Sequence, residues 1–230
     1  MIVCTNNFLE SATITVNGGS AFFPATNLYS PTLYGNDGVC LYQGNIVIDL
    51  GSAKQVKAIG IMHSSQTVTV EANSTNSWGS PAYTVTMNEA VKKIDKTYRY
   101  WRIVTAETGS QYIGQFYLGI PIEPSYATAG SVPQLDTQDI ESFSSSGRYF
   151  ATKGIDRLIQ SFSVSCATEA EYETWYNYWR SDNRKKPIIF VQYEETQGGV
   201  YPVYFGRLNF GTDGRERLSY RFNFDLIEVS

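Results

Sequence analysis

At 230 residues, with 42% hydrophobic and 17% charged side chains, the chain has enough apolar material for packed cores and too little charge for a disordered polymer. The net charge of −4, all of it C-terminal to residue 122, speaks against general nucleic-acid binding, which rests on attraction to phosphates. Three cysteines without a close pair exclude a small disulfide scaffold and a four-cysteine zinc site, and are expected as reduced, buried thiols in a protein made in the cytoplasm.

No charged start runs into an apolar core at the N-terminus, so no signal peptide is expected; no apolar run approaches the ~18 residues of a membrane span. Seventeen tyrosines and twelve phenylalanines favour strands. Residues 12–16 alternate and end at Asn17-Gly18-Gly19, a turn signal. Residues 45–50 alternate too, with Ile46, Ile48 and Leu50 on one face, and Gly51-Ser52 closes the run. Further strands are predicted over 56–62, 67–72, 83–87, 98–105 and 112–120, the spacing of a sandwich or jelly roll. Pro124, Gly130 and Pro133 then mark residues 123–136 as a linker.

The second half predicts strands over 139–150 and 156–166, then a helix over 168–182. Thr168 is its N-cap, Glu171 completes a capping box, and Glu169, Glu171 and Glu173 sit where the helix dipole favours negative charge. Tyr172, Trp175, Tyr176 and Trp179 fall at i, i+3, i+4 and i+7, one apolar stripe. Arg180, Arg184, Lys185 and Lys186 follow with the favourable sign, and Pro187 stops the helix. Strands over 188–194, 200–210 and 217–229 complete the chain. The predicted fold class is all-β: an N-terminal jelly-roll sandwich over 1–122, a linker over 123–136, and a C-terminal β-sandwich with one flanking α-helix over 137–230.

Residues suited to catalysis are sparse. His63 is the sole histidine, ends an apolar strand and belongs to no nucleophile-elbow pattern, so it reads as structural or surface-exposed. Glu194-Glu195 flank a Gly-Gly turn and point to opposite faces of a strand, which suits a shared acid–base site poorly. No phosphate-cradling glycine loop is present. No catalytic residue, metal ligand or cofactor is expected. The binding candidates are Trp78, Tyr34 and Tyr42, aromatic residues in the predicted loops 29–42 and 73–81 amid small polar neighbours. Tyr172, Trp175 and Trp179 are the candidates for an assembly interface.

Ala25-Thr-Asn-Leu28, Ile46-Val-Ile-Asp-Leu-Gly-Ser52 running into Val56-Lys-Ala-Ile-Gly-Ile61, Tyr100-Trp-Arg-Ile103 and Ile113-Gly-Gln-Phe-Tyr-Leu-Gly119 make the first half resemble the discoidin (coagulation factor 5/8 type C, galactose-binding-like) domain. The resemblance covers about residues 1–122 and implies an eight-stranded antiparallel jelly roll. Many members hold a structural calcium through an Asp-Gly-Asn-like segment and a late glutamate. Here Asn27-Leu-Tyr-Ser-Pro-Thr32 occupies that stretch and Gln115 stands near the glutamate position, so no metal is expected. The second half resembles, in its order of elements, domains of phage tail-tube and distal-tail proteins.

The combination implies a structural virion protein of a bacteriophage tail tip, a baseplate or distal-tail component. It would be assembled in the host cytoplasm, with other tail proteins as partners and a homo-oligomeric ring as its assembly. Its acidity suits a conduit through which DNA passes transiently. A host glycan is a possible further partner. The alternative is a carbohydrate-binding module recognising a cell-surface glycan, with loop aromatics stacking on sugars. A hydrolase ranks last for want of candidate residues.

Overall fold

The computed structural model describes residues 2–18, 23–29, 39–105, 109–129, 134–137, 140–143, 149–152, 156–181, 188–191, 203–210 and 221–228. The described chain is mostly β, its strands pairing antiparallel, with one α-helix among the described residues. In chain order the strands are β1 (Ile2–Cys4), β2 (Thr13–Val16), β3 (Cys40–Gln43), β4 (Asn45–Ser64), β5 (Val68–Asn73), β6 (Tyr83–Met87), β7 (Ala90–Val104) and β8 (Ser110–Gly119). There follow β9 (Tyr126–Ala129), β10 (Gln134–Thr137), β11 (Ile140–Phe143), β12 (Tyr149–Thr152), β13 (Asp156–Ser165), helix α1 (Glu169–Arg180), β14 (Ile188–Val191), β15 (Val203–Phe210) and β16 (Arg221–Glu228).

Two compact units result: Met1–Glu123 with Ile188–Tyr204, and Pro124–Pro187 with Phe205–Ser230. This differs from the predicted division at 122 and 137 in two ways, each with a pairing behind it. Residues 188–204 fall in the first unit, where β14 pairs with β1 through Ile2↔Val191, Val3↔Phe190 and Cys4↔Ile189. The predicted linker 123–136 carries β9 and most of β10, both paired with β13.

The first unit is a curled seven-stranded sheet in the order β3-β8-β4-β7-β5-β6, with β2 on β4. Its spine is β4, a 20-residue strand. Sequence alone splits it at Gly51-Ser52, because that pair reads as a turn. In the fold, Gly51 adopts φ 78° within a register shift between Asp49/Lys54, so the strand bends and continues. The first half of β4 pairs with β2 and β7, the second with β8 and β7. Alternation sends Ile46, Ile48, Val56, Ile59 and Ile61 inward, where Val70, Trp101, Ile103, Phe116 and Leu118 meet them fully or almost fully buried. Each such side chain contributes roughly 1.5–3 kcal/mol by burial.

In the second unit β15, β16, β13 and β10 lie in that order, β9 also pairs with β13, and β11–β12 form a hairpin. The helix forms close to its predicted bounds. Thr168 caps it, its Oγ accepting from the Glu171 amide at 3.2 Å, and Ser181 closes it. The Glu171 carboxylate accepts from the Ala167 amide at 2.8 Å and from the Ser125 amide and hydroxyl at 2.5 and 2.7 Å, tying the chain before β9 to the start of the helix. No helix among the described residues is long and apolar enough to cross a membrane.

Candidate binding site

Of the predicted recognition residues, Trp78 lies at the surface of the first unit. The loop between β5 and β6 that carries it is held at its root by Asn73, whose Nδ2 donates to the Ser77 carbonyl at 2.8 Å while its Oδ1 accepts from the Ser74 amide at 2.8 Å. The Trp78 indole N–H donates to Asn76 Oδ1 at 2.8 Å. Its ring lies over the Arg102 guanidinium, 4.6 Å from ring centre to carbon. Arg102, on β7, is gripped by Glu71 on β5, the residue directly opposite, with Nε to Oε2 at 2.8 Å. The side chains of this pair are 19% and 14% exposed. Trp78 is half-buried above them, so its ring is fixed in orientation and partly open to solvent.

The strands explain why these groups share a face. Trp101 and Ile103 point into the core, so Tyr100 and Arg102 point out. Val70 and Ala72 do the same for Glu71. Asn73 lies opposite Tyr100, and Asp49 faces Tyr100 from the other side. The sequence motif Tyr100-Trp-Arg-Ile103 thus holds core and surface residues in alternation. Read as a family signature, the motif does not by itself show Arg102 and Glu71 as site residues. The signal available was period-two alternation; the missing information was which neighbour strand supplies the carboxylate.

The other predicted residues fall elsewhere. Tyr42, expected in a recognition loop, is a β3 residue with no exposure, packed in the main core. Burial pushes its phenol up to about 12, so it is a core residue and takes no part in surface binding. Tyr34 lies outside the described residues, as do Glu194-Glu195 and the Arg184–Lys186 run. Tyr172 and Trp175, expected at an assembly interface, are buried at 4% and 0% exposure within the second unit. Their rings stack on Phe222 and Phe224 at centroid distances of 4.8 and 5.7 Å, so packing inside the unit takes up these two members of the stripe. The Trp179 side chain is outside the described set. His63 adopts φ 54° between the pairs Met62↔Gln115 and Ser64↔Ile113, and a methyl group on Gly114 would come within 2.6 Å of the His63 Cβ.

The calcium position implied by the discoidin resemblance is filled by amide chemistry. Gln115 Nε2 donates to the Asn27 carbonyl at 2.7 Å and to the Gly114 carbonyl at 3.0 Å. Asn27 Nδ2 donates to the Val39 carbonyl at 2.8 Å, and its buried Oδ1 has no hydrogen-bond partner among the described residues. A donor N–H thus takes the carbonyl that a cation would need, from a neutral side chain. Calcium takes six to eight oxygen ligands, with carboxylates among them. Among the described residues no group of three His, Cys, Asp or Glu is placed to hold a metal, and the described residues of this position, Asn27 and Gln115, do not fit the ion. The cysteines are buried and unbridged, and burial raises the Cys40 and Cys166 thiols to about 12, which makes them inert packing groups.

No family model matches the sequence, and no curated protein matches it. Solved structures similar to about half the chain include a carbohydrate-binding module, CBM32-1, from a family 31 glycoside hydrolase of Clostridium perfringens (14% identity, 50% of this chain and 99% of that one, TM-score 0.38). The lectin binding domain of lectinolysin, complexed with Lewis b, shows 13% identity over 50% of this chain and 96% of that one, with a TM-score of 0.38. Chitosan-binding module 1 from a chitosanase/glucanase of Paenibacillus sp. IK-5 shows 16% identity over 49% and 98%, with a TM-score of 0.33. At such identities and scores these likenesses say nothing of what this chain binds.

Proposed function

We propose that the chain is a non-catalytic recognition protein whose first unit, a discoidin-like jelly-roll sandwich, binds a glycan through Trp78 and the polar residues beneath it. The observation that carries this is the fixed indole: it rests on Arg102, its N–H is tied to Asn76, and it is half-buried with part of its surface open. An aromatic face set among planar hydrogen-bonding groups suits a sugar, which offers C–H bonds on one side and hydroxyls around its rim. Because the loop is already held in place, little ordering entropy opposes binding. Screening the full chain against immobilised glycans tests the reading. Retention of one glycan class that Trp78→Ala abolishes, at an unchanged fold, supports it; retention equal in wild type and variant overturns it.

A second reading, compatible with the first, places the protein in a phage tail tip as part of a ring. What supports it is the resemblance of the second half of the sequence to such domains, together with the capped, aromatic helix packed on an antiparallel sheet in the second unit. Tyr172 and Trp175 are committed to that unit's own core, so assembly would use other surfaces. Native mass spectrometry and electron microscopy of the full chain, alone and with neighbouring tail proteins, test it. A chain that stays monomeric and binds none of them overturns it.

A further inference from the structure

The outer face of β7 carries the Trp78 arrangement twice. In the first copy Glu71 of β5 holds Arg102, and Arg102 lies against Trp78. In the second, Asp49 of β4 accepts from Nε and Nη2 of Arg99 at 2.8 Å each, and the Arg99 guanidinium lies 4.8 Å from the centre of the Tyr100 ring. The two carboxylates reach in from opposite neighbours of the same strand. The register shift in β4 accompanies the second copy: Tyr98 faces Lys54 and Tyr100 faces Asp49, so Arg99 lies across from the bulged stretch between them, and its guanidinium reaches Asp49.

We propose that Tyr100, with Arg99 and Asp49, forms a second subsite beside Trp78, and that the ligand is an uncharged oligosaccharide extending over both; this rests on the glycan reading of the Trp78 site. Tyr100 and Arg102 are alternate residues on one strand face, about 7 Å apart. Two fixed rings, Tyr100 itself and Trp78 set on Arg102, match a ligand of more than one ring better than a single sugar. The charge pattern selects the class. Each guanidinium has its own carboxylate, so the patch presents planar donors and acceptors with no net charge. The two guanidiniums an anionic glycan would meet are already matched, and its carboxylates or sulfates would compete with Asp49 and Glu71. A neutral polyol meets apolar faces and hydrogen-bonding edges without disturbing either ion pair.

Calorimetric titration of the full chain tests this, with the galacto-, cello-, chito- and malto-oligosaccharide series from single sugars to hexasaccharides as probes and a heparin hexasaccharide as anionic control. In one neutral series affinity should rise about tenfold or more from the monosaccharide to the longer chains, equivalent to about 1.4 kcal/mol. Tyr100→Ala should remove that gain while leaving the monosaccharide affinity within about twofold. Should that variant melt markedly earlier than wild type, Tyr100→Leu keeps the bulk, loses the aromatic face, and should also lose the gain. Binding should change little between low and high salt. A monosaccharide that binds as tightly as its longer chains, while Trp78→Ala still abolishes binding, overturns the second subsite and leaves the Trp78 reading standing. Salt-sensitive preference for the heparin probe overturns the neutral class. Absence of binding by every probe overturns both the inference and the glycan reading.

Discussion

The two faces of β7 hold tryptophan on opposite terms. On the inner face Trp101 has no exposure; Tyr83 and Tyr98 meet it edge-on at 6.2 and 6.3 Å, and its indole N–H has no hydrogen-bond partner among the described residues. On the outer face Trp78 leaves part of its surface in solvent, yet its N–H is satisfied and its ring is set on a guanidinium. The inner ring gives up a hydrogen bond for packing, a loss that burial of so large a side chain outweighs. The outer ring gives up burial for orientation. A residue that only fills space needs volume, whereas a residue that recognises a ligand needs a fixed attitude, and polar neighbours provide it.

Breaking the inner face should have the largest effect. Trp101→Ala should destabilise the first unit by about 3–5 kcal/mol, through the lost transfer energy and the cavity left among Tyr83, Tyr98 and the inward residues of β4 and β5. Denaturant unfolding followed by far-UV circular dichroism measures it. A loss below about 1 kcal/mol would mean that the inner ring is not fully packed.

On the outer face, Arg102→Ala should cost roughly 1–2 kcal/mol, because it strands the largely covered carboxylate of Glu71 and removes the support under Trp78. The partial exposure of the pair keeps the effect below that of a deeply buried one. Arg102→Lys keeps the charge but not the planar fork, so it should recover part of the stability and little of the glycan binding. Equal recovery of both would show that orientation of the indole is immaterial. Trp78→Ala comes next, at about 1 kcal/mol for the lost cation–π contact, or a fall of about 2–4 °C in melting temperature. The comparison requires binding to fall far more than stability in this variant; the reverse outcome would make Trp78 a core residue.

This contrast also marks what the sequence revealed. Strands with clean alternation were legible: 83–87 matches β6 to the residue, and the helix cap Thr168 and the capping partner Glu171 stand where the pattern puts them. These signals are local, set by side-chain period and by a few residues at one turn. The failures are nonlocal. Nothing near Ile2–Cys4 announces a strand that pairs with residues 189–191. Gly51-Ser52 has turn composition, but a bulge in a long strand needs a positive φ as much as a turn does. Tyr42 reads as the end of a loop rich in small polar residues, and only its pairing with Gln111 of β8 places it in the core. Trp78 is legible as an aromatic in a polar loop, whereas Arg102 and Glu71 beneath it are brought together by strand pairing across 31 positions of sequence.

The smallest effect concerns the second ion pair of the outer face and appears on the acid side. Hydrogen bonds from the Arg99 guanidinium, then the Gly51 amide, and the positive charge of Arg99 hold the Asp49 carboxyl below its ordinary value, while the same partnership raises Arg99. A carboxyl depressed in the folded state stabilises that state above its unfolded pKa of about 3.9, and the contribution is lost as pH falls through the folded value. The difference in melting temperature between wild type and Asp49→Asn should therefore be constant from neutral pH to about pH 5 and shrink as pH drops below about 4. It should also shrink with added salt, because the Arg99 and Asp49 side chains are 41% and 27% exposed and solvent screens them. The Arg102–Glu71 pair, covered by Trp78, should keep more of its contribution in salt, and removing Trp78 should make it as salt-sensitive as the Arg99 pair. Equal salt sensitivity of the two pairs in the intact protein would show that Trp78 does not shield what lies beneath it, and the distinction between a covered and an open subsite on β7 would fall.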